Sequence, residues 1–241
     1  MANTGKKHPP YDFLLDPYSI SGQHPNGERP IEAVLIQHCD AVAADILAAG
    51  APDPQPAVRF HPIRNVRLLR GDGKRLDILY IADDRPLCIV GEVKRRGARD
   101  LDHRAVNQAI EYRDKIRCFW GEDELHRYRE FANAHRDRAI DSAWTFVEHV
   151  FDSTHGRSLA DSFISQSQPV VKVAAFVAVD GFPSDFQKLE HALAEHNQQH
   201  RDDGPVALVC VRCGTSDSER QINSISFPGR SKPGESERSS T

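Results

Sequence analysis

Two apolar runs, over residues 75–82 and 87–94, are joined by a polar turn at 82–86, the pattern of a β-hairpin. A strand presents alternate residues to opposite faces. Leu76, Ile78, Tyr80 and Ile89 fall on one face of the pair, and Leu79, Ile81, Cys88 and Val90 on the other. Strands that are apolar on both faces sit centrally in a sheet covered from both sides. The pattern predicts a three-layer α/β fold.

The polar exceptions in this hairpin carry the chemistry. A register in which Asp84 faces Arg85 sets Asp77 opposite Glu92, and Lys94 then shares their face. Two carboxylates facing each other across a ladder repel. A divalent cation between them would remove that cost, and a lysine alongside could serve phosphate chemistry.

The 241 residues suffice for one elaborated domain or at most two small ones. Residues 1–29 read as an extended arm with one apolar patch. A helix is predicted over 30–50, with Ile31, Val34, Leu35, Val42, Ile46 and Leu47 as its apolar stripe. An extended segment at 58–69 precedes the hairpin. A helix over 102–118 follows, with Asp102 as N-cap and Asp100 as a competitor for that role. A helical insert occupies about 119–168, packing through Leu125, Tyr128, Phe131, Ala139, Trp144, Val147 and Val150. A buried strand at 170–179, a helix at 184–200 and a strand at 206–212 end the 30–213 domain with a C-terminal αβ extension. Residues 214–241 are polar and expected to be a disordered tail.

Composition sets limits. The hydrophobic share of 39% and charged share of 27% are ordinary for a soluble globular protein. A net charge of −4 gives no global basic field, although a local strip suffices to hold a phosphate backbone. No stretch approaches the roughly 20 apolar residues that span a bilayer, and the N-terminus lacks a secretory core, so no membrane partner and a cytoplasmic setting are expected. Five irregularly spaced cysteines read as free thiols; Cys210-Val-Arg-Cys213 could bind zinc, but without a second pair it reads as two ordinary cysteines of a strand. The twelve histidines form no ligand pattern.

The order α-β-β-β-α followed by a strand, with D-x14-E-x-K from Asp77 to Lys94, resembles the PD-(D/E)XK nuclease superfamily and its restriction-endonuclease-like αβββαβ core. The resemblance covers residues 30–116 and 170–179; Leu76 stands where the superfamily's name has proline. Gln108 and Tyr112, four apart on one helical face, resemble the Q-x3-Y feature of RecB-like members. Glu32 resembles the additional acid those families place near the metal.

The resemblance implies Mg²⁺, with Mn²⁺ as a substitute, held by Asp77, Glu92 and the backbone carbonyl of Val93, with Glu32 acting directly or through water. Lys94 would orient the attacking water or offset charge on the scissile phosphate. Gln108 and Tyr112 would order the edge of the site or touch the substrate strand. The implied activity is hydrolysis of phosphodiester bonds in DNA. An RNA substrate, a homodimer, and a catalytically inactive binding or assembly module on the same fold stay open.

Taken singly, each residue has a plainer reading. An E-x-K triplet commonly marks an ion pair at a strand end, Asp77 could pair with Arg75, and Gln108 and Tyr112 could be helix-surface residues. Asp83 and Asp84 suit the turn. Arg95, Arg96, Arg99, Arg104 and Arg113 could hold phosphates or be solvated charge. The basic insert (His126, Arg127, Arg129, His135, Arg136, Arg138) could cap a substrate or cover a sheet face. Trp120 and Trp144 could stack on bases, with core packing the more ordinary role.

Overall fold

The computed structural model describes residues 28–48, 58–66, 76–121, 125–126, 129–130, 171–200, 204–213 and 220–230. Their elements are α1 (Arg29–Gln37), α2 (Cys39–Ala48), β1 (Phe60–Val66), β2 (Leu76–Ala82), β3 (Leu87–Lys94) and α3 (His103–Phe119). β4 (Lys172–Asp180), α4 (Gln187–Gln199), β5 (Val206–Arg212) and β6 (Gln221–Ser226) complete them. The six strands form one mixed sheet in the order β1-β2-β3-β4-β5-β6. β3, β4 and β5 run parallel, and the other neighbours pair antiparallel.

The two-faced apolar pattern has the expected consequence. Leu79, Ile81, Cys88 and Val90 pack into one core with Ala109 of α3 and Leu193 of α4. Ile78, Tyr80, Ile89 and Val93 pack into another with Leu35 of α1 and Val42 of α2. Helices therefore cover both faces of the sheet. Leu76 departs from strict alternation and joins the core of Leu79. The Tyr80 hydroxyl donates to the Leu35 carbonyl at 2.8 Å, satisfying a buried polar group and tying α1 to the sheet.

The hairpin register is the expected one: Ile78 pairs with Gly91 and Leu79 with Val90, so continuing the ladder places Asp77 opposite Glu92. Asp102 is the N-cap of α3, its carboxylate accepting the Arg104 backbone N–H at 2.9 Å. The predicted helix over 30–50 is two helices. The chain leaves helical geometry at His38, whose ring contacts the Arg220 carbonyl at 3.3 Å. Two residues later Asp40 accepts the Phe60 N–H at 2.8 Å, tying the start of α2 to that of β1. The predicted helix at 184–200 begins at Gln187, after a 3₁₀ turn over Pro183–Asp185.

The tail assignment from residue 214 needs correction, because Gln221–Ser226 is the edge strand β6. Its register explains the miss. Val211 pairs with Ile222 and Cys210 with Ser224, which leaves Asn223 as an extra residue in a β-bulge. The bulge brings Ile222 and Ile225 to the same core although they lie three apart, so no period of two is visible.

Most of the insert lies outside the described residues. Leu125, at its start, is buried in the α3-side core. Arg129 donates to the carbonyls of Ala82 and Arg85, at the turn end of the hairpin. Trp120 is buried, a core residue rather than a base-stacking one, whereas Trp144 lies outside the described residues. All five cysteines are free. Among the described residues no helix is long and apolar enough to cross a membrane.

Gly91 marks a close approach between β3 and β4. A Cβ built there would lie 2.2 Å from Cζ of the buried Phe176. Gly91→Ala is expected to lower the unfolding free energy by about 2 kcal/mol through overpacking, read as a lower urea midpoint at unchanged slope.

Candidate active site

The acid-acid-lysine set lies where β2 begins and β3 ends, on the face covered by α3. Asp77 is half-buried, and its carboxylate reaches across the ladder to accept the Val93 N–H at 2.8 Å. Glu92 is 1% exposed. Its Oε1 lies 2.5 Å from the Lys94 ammonium, while its Oε2 is buried with no hydrogen-bond partner. Lys94 uses its remaining donors on Asp100 at 3.1 Å and on the Gln108 amide oxygen at 3.3 Å. The Gln108 amide nitrogen then donates to the Tyr112 hydroxyl at 3.4 Å. The helical pair predicted from spacing thus joins the hairpin residues in one chain of polar contacts, Glu92–Lys94–Gln108–Tyr112.

The electrostatics follow from burial of like charges. Asp77 is pushed well above the usual carboxylate range by burial and then by the neighbouring Glu92. The Val93 N–H works against the shift, and Glu32 and Glu28 add to it. Burial also pushes Glu92 up, to about 7, despite the lowering effect of Lys94. Burial would lower Lys94, but Glu92 and Asp100 outweigh it and hold the ammonium above its ordinary value. Burial pushes Tyr112 to about 12, against the lowering effect of the Gln108 hydrogen bond and with smaller raising contributions from Glu92 and Asp77. At neutral pH the phenol keeps its proton.

Glu32 is 7% exposed, in the first turn of α1, close enough to Asp77 to raise it electrostatically. Glu28, one helical turn earlier at the N-cap of α1, acts on both Asp77 and Glu92. Sequence reasoning passed over Glu28, although its i,i+4 spacing to Glu32 places both on one face. Asp100, a competitor for the N-cap role on sequence grounds, contacts Lys94 instead. Among the described residues no group of three or more His, Cys, Asp or Glu is arranged to hold a metal ion. The donor set present is the Asp77–Glu92 pair, with the Val93 main chain beside it.

The arginines divide. Arg95, Arg96 and Arg99, on the turn after β3, and Arg104, at the start of α3, are exposed. Arg113 is buried and donates to the Gly204 carbonyl at 3.1 Å, so it belongs to the packing and not to a phosphate-facing surface. Asp83 and Asp84 stay in the turn, contacting His61 and Arg85.

Comparison with protein-family models, curated proteins and solved structures finds no match to this chain. Its functional reading rests on its own residues.

The raised carboxylates give a signed prediction. Folded Glu92 holds its proton up to about 7, against 4.5 ordinarily, so between these values the native state binds more protons than the unfolded chain. Stability then falls as pH rises, at up to about 1.4 kcal/mol per pH unit for this one proton. Urea titrations of wild type and Glu92→Gln across that window should show a shallower decline in the variant. A wild-type stability that rises with pH there would contradict the assignment.

Proposed function

We propose that this chain is a metal-dependent nuclease that hydrolyses phosphodiester bonds in DNA, on the PD-(D/E)XK pattern its sequence resembles. The observation that carries the reading is the half-buried Asp77 opposite the buried Glu92, with the Lys94 ammonium 2.5 Å from Glu92 and Gln108 of α3 within its reach. Such a set is costly to bury for structural reasons alone, because among the described residues Lys94 is shared between Glu92 and Asp100 while Glu28 and Glu32 add further negative charge.

The residues fit a hard divalent cation. Glu92 Oε2 is a buried carboxylate oxygen without a hydrogen bond, and Asp77 is raised by its neighbour's charge. Mg²⁺ binds through one or two carboxylates together with waters and substrate phosphates, so it does not require a third acid. Asp77 and Glu92 would hold it, with the Val93 carbonyl and Glu32 at the margin, and Mn²⁺ would substitute. Bound there, the ion supplies a water of lowered pKa and a Lewis acid for the phosphoryl oxygen.

The chain's own groups supply the rest. Lys94 is held charged, and release from Glu92 leaves one of its N–H groups for the attacking water or a phosphate oxygen. Asp100 and Gln108 keep the ammonium in place during that exchange. Tyr112, protonated and hydrogen-bonded, fixes the Gln108 amide. The exposed Arg95, Arg96, Arg99 and Arg104 supply sequence-independent contacts to the phosphate backbone.

Asp77→Ala, Glu92→Ala and Lys94→Ala should each lower Mg²⁺-dependent DNA cleavage by a factor on the order of 10² to 10³, and Gln108→Ala by about tenfold. Chelation of the metal should abolish cleavage, and Mg²⁺ should raise the Tm of wild type but not of Asp77→Ala. The assay is gel-resolved cleavage with each variant's fold checked by circular dichroism. Undiminished cleavage in all three alanine variants would refute the proposal.

A further inference from the structure

Phe182 is, among the described residues, the one large apolar side chain left exposed, at 56%. A single exposed aromatic is ordinary on a protein surface. This one differs in how firmly it is mounted and in where it stands.

The mount is rigid. Gly181 has φ of 145°, a conformation that side-chain-bearing residues rarely adopt, and a Cβ there would meet Asp185 and Phe186. Its N–H donates to the Val211 carbonyl at 3.0 Å, and its carbonyl accepts the Asn223 side-chain amide at 2.9 Å. Phe182 donates its own N–H to the Asp185 carboxylate at 3.1 Å. Pro183 follows, restricting Phe182 to the extended region it occupies, φ −116° and ψ 156°. The backbone on both sides of the exposed ring is therefore pinned.

The position is the open end of the sheet. β4 runs parallel to β3 with Val179 beside Lys94, so Phe182 begins three residues beyond the catalytic lysine's neighbour. That is roughly 10 Å of extended chain. Arg96, on the basic turn that follows Lys94, lies 3.4 Å from Asp185, the residue that caps the Phe182 mount. This exposed ion pair is energetically weak, but it establishes that the arginine turn and the Phe182 turn are neighbours. A cationic rim beside a preorganised aromatic is the combination that holds single-stranded nucleic acid: phosphates on the arginines, a base face on the ring. A base inside a duplex has both faces covered by its neighbours and cannot offer one.

Building on the nuclease reading, we infer that Phe182 is the platform on which an unpaired base of a single-stranded DNA substrate stacks beside the Asp77–Glu92 site. The acidic pair and Lys94 define the chemistry. Phe182 selects the form of substrate, favouring a single strand or a frayed end.

The test is fluorescence anisotropy in EDTA, with a labelled single-stranded oligonucleotide of about a dozen nucleotides and a blunt duplex of the same length. Phe182→Ala and Phe182→Leu should each weaken single-strand binding about tenfold, whereas Phe182→Trp keeps the wild-type affinity and its emission is quenched by the oligonucleotide. Duplex binding should be insensitive to residue 182. Unchanged single-strand affinity in Phe182→Ala would overturn the inference. So would full binding by Phe182→Leu, which indicates apolar contact without stacking, or an equal loss on duplex, which indicates a wedge. If the wild type cleaves DNA in Mg²⁺ while Phe182→Ala binds as well as it does, this inference fails and the nuclease reading stands. A wild type that neither binds nor cleaves DNA removes both.

Discussion

Ile78 pairs with Gly91 across the β2–β3 ladder, and through that register Asp77 and Glu92 come to lie opposite each other at the end of the sheet. Register is ordinarily specified by one apolar face and one polar face. Here both faces are buried, so alternation alone would tolerate a one-residue slip. A local contact pins it instead. The Asp77 carboxylate accepts the Val93 N–H, a bond that a slipped strand would lose. A residue of the acidic site is thus also a device that holds the site's register.

The same contacts explain why the site is both unfavourable and useful. Burial raises both Asp77 and Glu92; Glu92 raises Asp77 further, and Glu28 and Asp100 raise Glu92, while Lys94 offsets part of the charge and Asp100 competes for it. A cation held between the two carboxylates would relieve that repulsion. Replacing such a set by apolar residues would be neutral or favourable for folding, which is why a purely structural role accounts for it poorly. The polar chain from Glu92 to Tyr112 spreads the constraint onto α3, so that the helix and the hairpin fix each other's position.

The central elements were legible because their signals are local and redundant. The hairpin has two apolar runs about a polar turn, and α3 has a capping aspartate and a Gln–Tyr pair one turn apart. What was illegible depends on partners distant in sequence. The break between α1 and α2 sits at His38, whose ring meets Arg220, 182 residues away. β6 is half-buried, and its bulge at Asn223 destroys the period of two that would have revealed it. Asp100 carries the local signature of a cap, and only the folded turn brings it to Lys94. Arg113 looks like its exposed neighbours in sequence, yet it is buried against the Gly204 carbonyl.

The two ends of the sheet are built differently. At the turn end, Arg129 caps the carbonyls of Ala82 and Arg85, Lys172 donates its N–H to Pro86, and His61 meets Asp83, so backbone groups are closed off by partners. At the other end, where parallel β3 and β4 terminate, the polar groups face one another and the arginines face outward. Ligands in open α/β sheets bind beyond the carboxyl ends of parallel strands, because there the connections diverge and leave side chains without a covering layer. β6 extends this logic to the sheet's edge. Its bulge turns Asn223 toward the Gly181 carbonyl, so an irregularity in the last strand stiffens the turn at the end of β4. The strand that looked like tail in the sequence thereby contributes to the open end of the sheet, where the acidic pair lies.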